Sequence, residues 1–150
     1  RFLIKTSVGY PGHQVSVDLL RQVNIRDRAQ TVSPVLAGDD ILALRGIGER
    51  IHIDDNILEY IVRIVEATRH DENIAIGSSM RGALALTRCA RIWAASDGRG
   101  YVVPEDVKDL AVAVLSHRIK LTAEATFAGL TTDETISRML ETVPVPSLGA

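Results

Sequence analysis

The stretch "GSSMRGALALTRCARIW", residues 77–93, decides how the chain is read. Gly77, Ser78 and Ser79 form a tight polar turn, and Ser78 or Ser79 is placed to cap the helix that follows. Within that helix Leu84, Leu86, Ala90 and Trp93 read as core. Arg81 falls in the first or second turn, beside the positive end of the helix dipole, where a cation costs a few tenths of a kcal/mol. Helix N-termini are places where anions bind through free N–H groups, and a guanidinium there adds forked donors that match phosphate oxygens. Arg88 lies seven residues on, about 10 Å along nearly the same face. The two arginines are either solvated charges or cations aimed at an anion.

Outward from this helix the pattern stays helical. In "HIDDNILEYIVRIVEATRHDEN", residues 52–73, Asp54 or Asp55 caps a helix whose stripe is Ile57, Leu58, Ile61, Ile64 and Val65. In "YVVPEDVKDLAVAVLSHRI", residues 101–119, Pro104 suits the first helical position and Glu105 and Asp106 the positive end. Val107, Leu110, Ala111, Val114 and Leu115 form its stripe, with His117 and Arg118 at the negative end. Thr131 to Glu134 fit a capping box ahead of Ile136, Met139, Leu140 and Val143. Asp39 and Asp40 open a helix carrying Ile41, Leu42 and Leu44, weakened near its end by Gly46 and Gly48. Residues 36–143 are therefore expected to be a small all-α bundle of four to five helices, with 144–150 as a tail.

The beginning reads differently. Phe2 to Val8 is an apolar run closed by Gly9 and Pro11, expected to be a short buried strand. Residues 12–24 put Val15, Leu19, Leu20 and Val23 on one helical face, and the polar run 24–35 reads as a linker. The domain expectation is thus 1–23 for a strand and helix, 24–35 for the linker and 36–143 for the bundle. A buried strand at the second residue, with no partner strand in view, suggests a piece cut from a larger chain.

Composition removes several function classes. Apolar residues make up 46%, charged residues 24%, and the net charge is −2, which gives no overall attraction to nucleic acid. Cys89 is the single cysteine, so neither a disulfide framework nor a Cys-based zinc site is available within one chain. His13, His52, His70 and His117 show no helical pairing that would put two ligands on one face. "RGIGER", residues 45–50, has two glycines but no Lys-Ser/Thr of a phosphate loop, and no serine nucleophile motif occurs. No apolar run is long enough to span a membrane.

Taken in order, "RFLIKTSVGYP", the linker, "GSSMRG", "GYVVPEDV", "SHR" and "VPVP" resemble the C-terminal part of MoxR-family AAA+ ATPases over nearly the whole chain. In that family the ATPase core ends in a strand entered through Asp-Arg-Phe, matched by Arg1 and Phe2. The lid motif Gly-Ala/Ser-Ser-Pro-Arg-Gly is matched by Gly77, Ser78, Ser79, Arg81 and Gly82, with Met80 in place of the proline. The resemblance implies that Arg81 senses the γ-phosphate of ATP, with Ser79 and Gly82 in the same motif, and that Arg1 is an arginine finger toward a neighbouring subunit. It further implies ATP and Mg²⁺ in the full-length protein, a cytoplasmic ring oligomer, and chaperone-like maturation of partners, including a von Willebrand A-domain protein. The chain without a phosphate loop is then expected to be inactive and to hold no nucleotide tightly. Two alternatives stand beside this: a helical interaction domain with solvated arginines, and a nucleic-acid module using Arg81, Arg88, Arg91 and Arg99 as a basic face. The roles of Arg88 and Arg118 stay open.

Overall fold

A computed structural model describes residues 2–21 and 32–146. Its centre is made of four helices: α3 (Asp55–His70), α4 (Met80–Ser96), α5 (Pro104–Leu115) and α7 (Thr132–Thr142). Each starts where a local side-chain or backbone preference sets it. Asp54 caps α3, accepting from the Asn56 N–H at 2.8 Å, and Pro104 opens α5 with its φ already helical. At α7 the capping box is complete: Thr131 Oγ1 accepts from the Glu134 N–H at 3.2 Å, and Glu134 Oε2 accepts from the Thr131 N–H at 3.1 Å. Hydrogen bonds from Thr131, through its hydroxyl and its backbone, hold the Glu134 carboxyl below the usual carboxylate range. At α5 only half a box exists. Asp106 accepts from the Val103 N–H at 2.8 Å, but Val103 has no oxygen with which to reciprocate.

The core is the sum of the inward stripes: Ile57, Tyr60, Ile61, Ile64 and Val65 of α3, Val107, Ala111, Val114 and Leu115 of α5, and Ile136, Met139 and Leu140 of α7. The contribution of α4 is the expected one at Leu86 and Ala90 and differs elsewhere. Its inward face is Gly82, Ala83, Ala85, Leu86, Ala90 and Ala94, while Leu84 and Trp93 are exposed. Small residues let α3 and α5 approach its axis closely, with Leu86 the one large apolar side chain of α4 that is buried. A short helix α2 (Gly38–Arg50) leans on α4. Gly46 and Gly48 do not end it, and Gly48 is its one buried residue. A Cβ on Gly48 would stand 2.2 Å from Cδ1 of Ile92, the movable end of a half-exposed side chain, so Gly48 marks where α2 touches α4.

Two elements were not expected. A two-stranded antiparallel sheet pairs β1 (Ile74–Ile76) with β2 (Lys120–Leu121), Ile74 opposite Leu121. A five-residue helix α6 (Ala123–Phe127) follows, capped by Thr122, and with these strands buries Ile74, Leu121 and Ala125 in a small second cluster. Both elements are too short to produce a readable period.

The bundle is the all-α fold expected, with α6 added to the helices counted from sequence. The one sheet among the described residues, however, does not include residues 2–8. These carry no strand pairing and are exposed. Strand burial needs a neighbouring backbone edge, and among the described residues none runs beside them. The helix after them, α1 (His13–Arg21), buries no residue, leaving Val15, Leu19 and Leu20 open. Val23 and linker residues 24–31 lie outside the described residues, as do 147–150, while 32–37 have no regular structure.

Candidate functional site

The start of α4 is held by the end of α3. Thr68, fully buried, donates its hydroxyl to Val65 O at 2.6 Å and accepts the Ser78 N–H at 2.9 Å. Arg69 Nε donates to Ser78 O at 2.9 Å. The turn passes so close to α3 that a Cβ on Gly77 would lie 2.7 Å from Thr68 O and 2.8 Å from Arg69 Cα. Gly77 is needed there for space, since its φ is not in the left-handed region. Ser79 is the cap, its Oγ accepting from the Arg81 N–H at 3.3 Å. Ser78 is buried beneath it, and a Cβ on Gly82 would meet Ser78 Oγ at 2.1 Å. Ser79, exposed, and Gly82, buried, both shape the turn.

Arg81 emerges from this rigid turn into solvent, and among the described residues its guanidinium has no hydrogen-bond or ion-pair partner. It borders a concavity of about 550 Å³ together with Leu3, Leu84, Ala85, Arg88 and Arg118. Among the described residues three arginines and no carboxylate line this space. Arg118 is fixed by backbone carbonyls: its Nε donates to Val114 O at 2.8 Å and its Nη2 to Phe2 O at 2.6 Å and Leu3 O at 3.2 Å. His117 Nε2 lies 3.2 Å from the same Phe2 carbonyl, and the Lys5 N–H donates to Ala113 O at 2.8 Å. Residues 2–5 are thus strapped along the end of α5, bringing Leu3 to the arginine concavity. Cys89 behind it is no activated thiol: burial pushes its pKa up, with the Arg118 charge pulling the other way.

Arg99 behaves differently. It forks onto the buried Asp106, with Nη1 to Oδ2 at 2.8 Å, and reaches Asp97 at 3.0 Å. Hydrogen bonds to Asp106 and then Asp97 raise its pKa further. This arginine fixes the α4–α5 loop, so the four-arginine face of the nucleic-acid alternative loses one member. Arg1 lies outside the described residues. Among the described residues no three His, Cys, Asp or Glu side chains converge as metal ligands, and no helix is long and apolar enough to cross a membrane. Thr68 and Arg69 were missed from sequence. A threonine on the apolar stripe of α3, four residues after Ile64, was the available signal.

Residues 66–139 of this helical bundle match the AAA lid domain family. The chain is 36% identical over 146 residues to "Uncharacterized protein YeaC" of Bacillus subtilis, covering 97% of this chain and 46% of the relative. It is 31% identical over 159 residues to "Chaperone MoxR1" of Mycobacterium tuberculosis, covering 100% of this chain and 42% of the relative. A crystal structure of an ATPase candidate from Cytophaga hutchinsonii superposes with a TM-score of 0.85 at 29% identity, over 98% of this chain and 47% of that one. The chain belongs with the MoxR-type AAA+ ATPases and corresponds to their C-terminal part. It spans less than half the length of these relatives.

Proposed function

We propose that residues 36–143 are the nucleotide-sensing lid, and 1–23 the end of the core, of an ATPase that couples ATP hydrolysis to chaperone-like maturation of partner proteins. The observation that carries this reading is the Arg81 guanidinium, unpaired and exposed on a turn that Thr68, Arg69 and Gly77 make rigid. A terminal phosphate brought to the concavity would meet Arg81, with Arg88 and Arg118 on its walls and, among the described residues, no carboxylate to compete. A lid on the 24–35 linker would be drawn in when the γ-phosphate is present and released after hydrolysis. Arg1, at the start of this end of the core, would reach a neighbouring subunit's ATP in a ring, neutralising charge as the phosphoryl group leaves. The Mg²⁺-binding acids and phosphate loop would come from the rest of the ATPase. The name of the mycobacterial relative supports the chaperone-like role; a von Willebrand A-domain partner and a cytoplasmic location follow from the family resemblance.

The test is Arg81→Ala in the full-length protein. ATP hydrolysis is expected to fall by about 10³-fold or more with the fold intact, within the range for an arginine at a phosphoryl-transfer site. Unchanged turnover would leave a passive helical domain. Arg1→Ala should abolish hydrolysis in the assembled ring, and mixing it with a subunit defective in its own phosphate loop should restore part of the rate.

A further inference from the structure

A second basic concavity, of about 370 Å³, lies between α2 and α4 and is lined by Arg45, Gly48, Glu49, Arg88, Arg91 and Ile92. Its volume is in the range of ligand sites. Arg88 stands between this cleft and the Arg81 concavity, lining both. The charges here are not balanced. Glu49 engages Arg45 only loosely, at 3.8 Å between two exposed side chains, in the weaker Arg-before-Glu helical order. Arg88 and Arg91 have no acid partner among the described residues. Arg91 is the telling member. Its Nε is buried without any hydrogen-bond partner, and an unmet buried donor on a charged group is costly.

We propose that this cleft binds an acidic, partly apolar peptide segment of a partner protein, its carboxylates reaching Arg91 and Arg88. An acidic peptide fits better than a bare phosphate because the arginines are interleaved with open apolar surface. Ile92 lines the cleft half-exposed, with Trp93 exposed beside it in sequence, and on α2 Leu44 and Ile47 flank the lining residues and are also exposed. Carboxylates would satisfy the stranded Arg91 donor, and neighbouring apolar side chains would cover Ile92. Glu49 shows that a carboxylate can already stand at the rim.

The experiment uses the 150-residue chain and a short fluorescein-labelled peptide of alternating Glu and Leu, with the Ser-for-Glu peptide and inorganic pyrophosphate as separate arms at fixed ionic strength. Anisotropy should report binding of the acidic peptide, with a change in the fluorescence of Trp93, the single tryptophan. Arg91→Gln is expected to weaken binding about tenfold or more. Arg45→Gln, at an exposed site that cannot endanger the fold, should weaken it by less, and Glu49→Gln should tighten it about two- to fivefold by removing the competing carboxylate. Arg81→Gln should leave it unchanged. Equal affinity in the Arg91, Arg45 and Glu49 variants would overturn the proposal. So would equal binding of the serine peptide, or pyrophosphate binding more tightly than the peptide, which would mark a bare oxyanion site.

Discussion

The two ends of α4 carry arginines in opposite situations. Just past its C-terminus Arg99 is forked onto Asp106, whose side chain is 3% exposed, with Asp97 as a second partner. At its N-terminus Arg81 has only its backbone tied down, and its charge faces an open concavity bounded by two more arginines. The first end invests its cation in holding a loop against a helix. The second accepts an unfavourable placement, a cation at the positive helix terminus, and compensates none of it within the described residues. A charge kept where it does nothing for stability is one available for a ligand.

The contrast breaks first at Asp106→Ala. That variant leaves Arg99 without its main partner and the Val103 N–H uncapped, and should cost about 2–4 kcal/mol in chemical denaturation, the lower part of the range reflecting Arg99's partial exposure. Gly77→Ala comes next. Its methyl would press on backbone atoms of α3 at 2.7–2.8 Å, so about 1–3 kcal/mol should be lost in the same assay. In the full-length protein that variant should also lower ATP hydrolysis, because the turn that aims Arg81 must shift. Met80→Pro should act in the other direction. Met80 is the first residue of α4, and Ser79 before it is already extended at φ −89° and ψ 173°, as a residue preceding proline must be. A gain of about 0.4–1 kcal/mol is expected. Smallest is Arg81→Gln, which should move stability by no more than about 0.5 kcal/mol, in the stabilising direction. A loss of several kcal/mol in that variant would place Arg81 with Arg99 as a structural arginine.

Much of this arrangement could be read along the chain. Asp54, Ser79, Pro104 and the Thr131–Glu134 box start their helices as their types require, because capping is decided within one turn. The motif containing Arg81 was visible for the same reason. Leu84 and Trp93 turn outward because α4 packs through alanine and glycine around the single large side chain of Leu86, and such small residues carry little weight in an apolar pattern. The Phe2–Val8 run reads as a buried strand by composition, yet composition does not supply the neighbouring edge that burial requires.

By itself the sequence determined where α3, α4, α5 and α7 begin, which stripes of α3, α5 and α7 turn inward, and that one arginine sits against the dipole of its own helix. Only the tertiary structure decided which arginines are spent and which are free. Asp106 and Arg99 meet across a loop, Thr68 and Arg69 seize Ser78 from a preceding helix, and Arg118 is fixed by carbonyls more than a hundred residues away. Capping and amphipathic patterning are properties of neighbours in sequence, whereas the pairing of a charge depends on whatever folding brings within hydrogen-bonding reach.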